Sequence, residues 1–139
     1  MTDVPTVLFV CVKNGGKSQM AATLMRQRYA DAVRVFSAGT RPGSALNAES
    51  VAALAEVGAS TEGEHPKPVD AQLVDQADLV VLLGEEVELD PSSTPVQRWV
   101  TDEPSRRGIE GMERMRLVRD DIAARVASLG EQLGLRSGA

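Results

Sequence analysis

Residues 7–18 read VLFVCVKNGGKS, an apolar run followed by a loop with two glycines and two lysines. Four consecutive apolar residues at 7–10 predict a strand that is buried on both faces. A helical pattern begins at about Ser18, with one apolar face formed by Met20, Ala21, Leu24 and Met25. The segment therefore predicts a strand–loop–helix unit in which Cys11 lies at the carboxyl end of the strand.

Further strands and helices alternate along the chain. Strands are predicted at 33–38, 79–83 and 98–100, and helices at 47–57, 71–76 and 112–132. All-apolar strands between helices are typical of a parallel sheet covered on both sides. We therefore predict one α/β domain over residues 1–139, a three-layer sandwich with a central parallel sheet of about four strands and helices on both faces. Ligands of such sheets bind at the carboxyl ends of the strands, where Cys11 lies.

Composition excludes several classes of function. The net charge of −5 argues against a nucleic-acid binder. No apolar run approaches the roughly 20 residues that cross a bilayer, and residues 1–6 lack the basic start of a signal peptide. We therefore expect a cytoplasmic protein that binds neither nucleic acid nor membrane. The chain has one cysteine, so redox chemistry at Cys11 needs a thiol from another molecule.

The loop after the first strand is predicted to bind a tetrahedral oxyanion such as arsenate or phosphate. We expect Gly15 and Gly16 to take positive φ angles that turn successive amide groups inward. Amides arranged in this way at a helix N-terminus bind anions. Lys13 and Lys17 add positive charge, and Asn14 tolerates left-handed backbone geometry.

A thiol beside a helix N-terminus and lysines ionises more readily than a free thiol. Cys11 is therefore predicted to be a nucleophile beneath the bound anion. Ser18 is expected either to cap the helix or to donate its hydroxyl to Cys11. The residues have two other interpretations: a lone cysteine is usually a small buried apolar residue, and Gly16-Lys17-Ser18 matches the end of a nucleotide P-loop. The P-loop's first glycine would fall on Cys11, and no strand ends in an acidic residue.

These residues resemble the low-molecular-weight protein tyrosine phosphatase superfamily, and within it the arsenate reductases. The C-x5-R-S signature matches Cys11 and Ser18, with Lys17 in place of arginine. Further matches are Gln19-Met20-Ala21, Ser37-Ala38-Gly39-Thr40, Asp78-Leu79-Val80-Val81, Trp99 before an acidic-proline pair, and Val118-Arg119-Asp120-Asp121-Ile122. The resemblance implies that superfamily's fold and an oxyanion site formed by Val12, Lys13, Asn14, Gly15, Gly16, Lys17 and Ser18.

The sequence departs from the family at three points. Lys17 lacks the bidentate fork with which arginine binds phosphate, which disfavours ordinary phosphotyrosine hydrolysis. The family's acid loop has Asp-Pro, whereas residues 102–104 read DEP, so either Glu103 or Asp102 is implied as the general acid. The region 84–88 lacks the two additional cysteines of thioredoxin-coupled arsenate reductases.

A loop with one cysteine that reads CVKNGGKS is similar to that of the mycothiol-dependent arsenate reductases, also called arsenate–mycothiol transferases. The resemblance implies arsenate as substrate, mycothiol as co-substrate, a mycoredoxin-type redoxin as partner and no bound cofactor. It implies catalytic roles for Cys11, Lys17, Ser18 and one acid-loop carboxyl, with Cys11 either bonded to arsenic or orienting it. Monomer and homodimer are both compatible with the sequence. The alternative functions are a tyrosine or phosphoester phosphatase and a catalytically silent oxyanion-binding module.

The chain has two other groups of charged residues that are candidates for a functional role. His65 is the only histidine, so no metal site is expected around it. Five arginines lie near the acid loop, and most are predicted to pair on a solvated helix face with Glu113, Asp120 and Asp121. These arginines are Arg106, Arg107, Arg114, Arg116 and Arg119. Arg106 or Arg107 is also a candidate to face a bulky thiol or a protein partner.

Overall fold

The computed structural model describes residues 4–136, so both ends of the predicted domain 1–139 lie outside the described residues. The strands are β1 (Thr6–Cys11), β2 (Arg34–Gly39), β3 (Leu79–Leu83) and β4 (Val96–Trp99). The helices are α1 (Lys17–Tyr29), α2 (Ala48–Glu56), α3 (Ala71–Gln76) and α4 (Gly111–Gln132). Short 3-10 turns follow at Ala30–Ala32 and Pro104–Arg107.

The four strands form one parallel sheet in the order β2-β1-β3-β4. Strand β1 is central, and its Val10 pairs with Ala38 of β2 and with Leu82 of β3. Every residue of β1 and β3 is buried, as expected for strands covered on both faces. The parallel sheet of about four strands that the sequence predicts is therefore confirmed.

Helices cover both faces of the sheet. Val7 and Phe9 of β1 share one apolar cluster with residues of α1, α2 and α4. Leu8 and Val10 point to the other face and pack with α3 residues and with Val87. Because adjacent residues of a strand point to opposite faces, β1 contributes to both clusters and fixes the three layers relative to one another.

The observed elements differ from the predicted ones mainly at their ends. Helix α1 begins at Lys17, one residue before the predicted start. The last strand covers Val96–Trp99 instead of 98–100. In this edge strand only Trp99 is buried, so the apolar signal in the sequence marked its end and not its full length. Within residues 4–136, no helix is both long enough and apolar enough to cross a membrane.

The contact between α1 and α4 provides a test of the packing. A Cβ atom at Gly130 would overlap the ring of Tyr29, which is 3% exposed. Alanine normally stabilises a helix interior relative to glycine, and this contact reverses the sign. We expect Gly130→Ala to lower the free energy of unfolding by about 1–3 kcal/mol, measured by urea denaturation.

The matched control is the same substitution in a Tyr29→Ala background. There the ring is absent, so Gly130→Ala should be neutral or stabilising. An equal loss of stability in both backgrounds would show that the ring is not the cause.

Candidate active site

Cys11 is the last residue of β1, the strand in the middle of the sheet. Its side chain is 8% exposed and forms part of the wall of a cavity of about 330 Å³. The other lining residues are Val12, Lys13, Gly16, Lys17, Leu83 and Glu86. The thiol therefore lies beneath an opening at the carboxyl edge of the sheet, as the sequence predicts.

Residues 40–47 run beside the predicted oxyanion loop and hold its carbonyl groups. The N–H groups of Thr40, Arg41, Gly43 and Asn47 donate to the carbonyls of Cys11, Val12, Lys13 and Gly15 over 2.7 to 3.1 Å. Within the described part of the chain, the N–H groups of Lys13, Gly15 and Gly16 have no acceptor. They lie just before the N-terminus of α1, whose first N–H groups also lack helical partners. This arrangement of free amides suits an oxyanion.

The glycines of the loop do not have the predicted conformation. Neither Gly15 nor Gly16 has a positive φ angle; Asn14 does, at 54°. Gly15 is instead needed for space, because a Cβ atom there would lie 3.0 Å from the carbonyl oxygen of Ala45. The left-handed turn that the sequence analysis assigned to the glycines is made by Asn14, a residue type that tolerates it.

The amide side chain of Asn14 is fully buried and has a fixed orientation. Its Oδ1 accepts hydrogen bonds from the backbone N–H of Lys67 at 3.0 Å and from Nε2 of Gln19 at 3.2 Å. Because a backbone N–H can only donate, the atom facing Lys67 must be the oxygen. The nitrogen Nδ2 then points to Ser18, and donates to its Oγ over 2.7 Å.

Ser18 connects Asn14 to the thiol. Its Oγ accepts from Asn14, so its own proton is free to point towards Cys11 Sγ, 2.9 Å away. The backbone N–H of Asn14 also donates to Sγ, at 3.2 Å. Helix α1 has Gly16 as its N-cap with no side-chain cap, so the capping alternative for Ser18 is wrong. Two donors converge on the sulfur, an arrangement that suits a nucleophilic thiolate.

Lys17 is the first residue of α1 and lies where three cavities meet. Besides the cavity above Cys11, it lines a groove of about 610 Å³ and an acidic cleft of about 470 Å³. Lys13 is exposed and lines the first cavity and the groove. Between residues 4 and 136 neither lysine has an ion-pair partner, so both charges are available to an anion.

Both predicted acids line the acidic cleft with Lys17, and both are paired with arginine. Asp102 accepts two bonds from Arg107 at 2.7 and 3.0 Å, which lowers the pKa of this carboxyl. Glu103 accepts two bonds from Arg114 at 2.8 Å and one from the Ser105 hydroxyl at 2.6 Å. These bonds lower the pKa of Glu103 from 4.5 to about 2. A general acid must hold a proton near the working pH, so the role of either residue stays a prediction.

The arginines near the acid loop have partners that differ from the predicted ones. Arg107 and Arg114 bind the acid loop itself, and Arg116 binds Glu56 of α2. Arg119 also binds Glu56, and of the three predicted acids it pairs with Asp120. Asp121 pairs with Arg125 instead. The three arginines that lie in α4, Arg114, Arg116 and Arg119, therefore join this helix to the acid loop or to α2.

Lys67 is a residue of the site that the sequence analysis missed. Besides holding Asn14 through its N–H, it places its Nζ 3.0 Å from the His65 carbonyl and 3.3 Å from the Ser37 hydroxyl. Nothing local in the sequence marks it, because the two partners that connect it to the loop and to β2, Asn14 and Ser37, come from distant segments. His65 contributes its carbonyl oxygen, and residues 4–136 contain no cluster of acidic, histidine or cysteine residues suited to a metal.

A buried thiol lies below a set of free amides at the carboxyl edge of a parallel sheet, an arrangement that suits an oxyanion-binding thiol enzyme. Residues 6–135 match the low molecular weight phosphotyrosine protein phosphatase family. The chain belongs to that family.

Individual relatives and solved structures are similar to this chain over most of its length. An arsenate reductase from Brevibacillus brevis is 32% identical over 135 residues, which cover 94% of this chain and 98% of the relative. A thioredoxin-dependent arsenate reductase from Corynebacterium glutamicum superposes with a TM-score of 0.80 at 27% identity, covering 96% of this chain and 63% of that longer one. The tyrosine phosphatase Wzb of Escherichia coli K30, in complex with sulphate, also gives a TM-score of 0.80. Its 16% identity over 95% of this chain and 100% of that one shows the shared fold alone.

The Ser18 bond to the thiol leads to a prediction. Ser18→Ala removes a donor from Cys11 Sγ, and hydrogen bonds to charged groups contribute about 1.5–3 kcal/mol. We therefore expect alkylation by iodoacetamide at pH 7 to slow by about tenfold, measured by mass spectrometry over time. Ser128→Ala, which changes an exposed serine of α4, is the control and should react like the wild type. Equal rates for all three proteins would show that the hydroxyl does not act on the sulfur.

The Glu103–Arg114 pair predicts a dependence of stability on pH. Its carboxyl has a pKa lowered from 4.5 to about 2, so its stabilising effect is present above about pH 5 and disappears as the pH falls towards 2. Arg114→Gln should be less stable than the wild type at pH 7, and this difference should shrink on acidification. Thermal melts between pH 7 and pH 3 measure it.

Arg116→Gln is the control for this experiment. Its partner Glu56 keeps Arg119, and the Arg116 side chain is 48% exposed, so the loss at pH 7 should be smaller. A difference between wild type and Arg114→Gln that stays constant with pH would contradict the assignment to Glu103.

Proposed function

We propose that this chain is a thiol-dependent arsenate reductase that holds arsenate in the loop 11–18 and condenses it with mycothiol in the cytoplasm. The observation that supports this most directly is the free amides of Lys13, Gly15 and Gly16 above the only cysteine of the chain. An arsenate oxyanion bound by these amides and by Lys17 would bring its arsenic close to Cys11.

The single cysteine supports an external thiol. Release of arsenite requires two electrons from a pair of thiols, and the residues that follow β3 read GEEVE, without cysteine. The relatives include arsenate reductases, which supports arsenate as the substrate. Mycothiol is proposed from the similarity of the CVKNGGKS loop. The thioredoxin-dependent neighbour makes thioredoxin the reductant to test against it.

The proposed reaction has two steps. In the first, the thiolate of mycothiol attacks arsenic and an arsenic–sulfur bond forms. The hydroxyl group of hydrogenarsenate leaves as water after it takes up one proton. In the second, a redoxin thiolate attacks the sulfur of the arsenic–mycothiol adduct. The sulfur–arsenic bond breaks, its electron pair reduces As(V) to As(III), and the two thiols are oxidised to a mixed disulfide.

A phosphatase is the second candidate, because free amides of this kind bind phosphate as well as arsenate. The family is that of a phosphotyrosine phosphatase, which supports this alternative. Lys17 opposes it, since an ammonium group cannot make the two parallel bonds with which arginine holds phosphate. A module that binds oxyanions without turnover is the outcome if neither activity is found.

The test compares four reductants under the same conditions. The purified protein is incubated with arsenate and either mycothiol plus mycoredoxin, glutathione plus glutaredoxin, bacillithiol plus its redoxin, or thioredoxin. Arsenite is measured by chromatography coupled to elemental mass spectrometry. We expect arsenite only with mycothiol and mycoredoxin, and little hydrolysis of para-nitrophenyl phosphate. Arsenite formation with thioredoxin alone would overturn the mycothiol proposal. Fast phosphoester hydrolysis without arsenite would favour the phosphatase.

Lys17→Arg is the variant that separates the two enzymes. Arginine adds the bidentate fork, so phosphate affinity and para-nitrophenyl phosphate turnover should rise several-fold while thiol transfer to arsenate changes little. Lys17→Ala should weaken the protection of Cys11 from alkylation by phosphate. Arg34→Lys, the reverse exchange at an exposed residue of β2 away from the anion loop, is the control. If neither substitution of Lys17 affects anion binding, Lys17 does not contact the anion.

A further inference from the structure

The groove of about 610 Å³ beside Lys17 has room for a second molecule next to a bound anion. It is lined by the anion loop, by residues of the segment 41–47 and by helix α4. Met20, Met115 and Val118 line it and belong to the main apolar cluster, so this part of its wall is fixed. Its volume is typical of a site for a small organic molecule and far exceeds what a single oxyanion fills.

The charged side chains of the described residues that line the groove are all basic: Lys13, Lys17, Arg41 and Arg114. Arg41 is exposed and takes part in no ion pair within residues 4–136. Arg114 uses Nε and Nη2 to hold Glu103, which fixes the plane of its guanidinium. Both N–H groups of Nη1 and the second of Nη2 are left to donate. The groove therefore presents positive charge and hydrogen-bond donors.

The acidic cleft on the other side of Lys17 has a different charge balance. Its acid-loop carboxyls are paired with arginines, but Glu85 and Glu86 have no ion-pair partner in the described residues. Their charges offset those of Lys17 and of Arg106, the unpaired arginine of the cleft. The attacking group of the proposed reaction is a negatively charged thiolate. The uncompensated positive charge of the groove attracts it, whereas the cleft has little net charge to do so.

The direction of attack also favours the groove. In a displacement at a tetrahedral centre, as in phosphoryl transfer, the entering atom approaches opposite the leaving oxygen. The acid-loop carboxyls, which are the predicted proton donors to that oxygen, line the cleft and not the groove. With the leaving oxygen on the cleft side of Lys17, the thiol enters from the groove side.

We propose that the groove is the binding site of the external thiol, with Arg41 and Arg114 holding its non-reacting part. The proposal rests on the proposed function for the use of such a thiol. Its thiolate forms the arsenic–sulfur bond, the arsenic–oxygen bond breaks, and the hydroxyl group leaves as water after it takes up a proton. The groove residues form no covalent bond. The chemistry recognised is a small thiol rich in hydrogen-bond acceptors, either hydroxyl and amide oxygens, as in mycothiol, or carboxylates, as in glutathione.

The binding test uses S-methyl mycothiol and S-methyl glutathione, which cannot react, and isothermal titration calorimetry with the anion loop filled by phosphate. We expect S-methyl mycothiol to bind the wild type, and Arg41→Ala to weaken this binding about five- to twentyfold, because donors from a charged group are lost. Ser44→Trp places a large ring at a groove residue and should abolish it. Arg106→Ala removes an exposed arginine of the cleft and is the matched control, which should bind like the wild type.

Ionic strength separates the two kinds of acceptor. A carboxylate held by an exposed arginine loses affinity as salt is added, whereas hydroxyl and amide oxygens lose little. We expect the affinity for S-methyl mycothiol to change less than about twofold between about 0.05 and 0.5 M salt. Binding of S-methyl glutathione alone, weakened by salt and by Arg41→Ala, would remove mycothiol from the proposed function and support the groove as the thiol site.

Turnover gives the second readout. Arg41→Ala should raise the KM for the thiol by a factor similar to its loss of affinity, with little change in kcat or in the KM for arsenate. A raised KM for the thiol in Arg106→Ala, with Arg41→Ala unchanged, would place the thiol in the cleft and overturn the proposal. So would the failure of both S-methyl thiols to bind the wild type. If thioredoxin is the only reductant that yields arsenite but an S-methyl thiol binds in an Arg41-dependent manner, the proposed function fails and the groove assignment stands.

Discussion

The conformation of the anion loop depends on the buried side chain of Asn14. Its backbone makes the left-handed turn, and its amide joins Lys67, Gln19 and Ser18 in one hydrogen-bonded network. That network orients the Ser18 hydroxyl towards the thiol and holds the loop against residues 65–67. Most donors and acceptors of this network are paired, which stabilises a buried polar cluster, and Gln19 Oε1 is the acceptor that has no partner among the described residues. Gly15 leaves room for the adjacent segment at Ala45, while Asn14 makes the left-handed turn of the loop.

The charge around the candidate site is positive, opposite in sign to the net charge of the protein. The chain carries −5 overall, yet Lys13 and Lys17 face the cavity unpaired in the described residues. The acid-loop carboxylates are neutralised by arginines, so they add little repulsion for an approaching anion. This local arrangement suits an oxyanion in spite of the acidic net charge of the protein.

The position of Cys11 links the fold to the chemistry. The central strand of a parallel sheet ends where loops from neighbouring strands meet. Here the cavity at the thiol is lined by the loop after β1, the start of α1, the end of β3 and the turn that follows β3. The cavity above it continues on either side of Lys17 into the groove of about 610 Å³ and the acidic cleft of about 470 Å³. These openings would give the external thiol of the proposed function space to approach an anion above Cys11.

The sequence by itself determined the elements and the location of the site. Runs of apolar residues identified β1 and β3, the spacing of Val118, Ile122 and Val126 identified α4, and the glycines and lysines after a buried strand identified the loop. These features are local, because hydrophobic periodicity and turn chemistry are set by neighbouring residues. The resemblance added the acid loop and the family to which the chain belongs.

Only the tertiary structure decided which polar groups meet. Lys67 reaches Asn14 across 53 positions of sequence, Arg114 reaches Glu103 across 11, and Arg98 reaches the turn that carries Glu86 from the next strand. Which polar groups become partners depends on how the helices and strands pack, and the residue pattern along one sequence does not show this packing. For the same reason the positive φ angle that the sequence predicted for the glycines lies instead at Asn14, where the packing of the loop places it. The fold also decided that each acid-loop carboxyl pairs with an arginine.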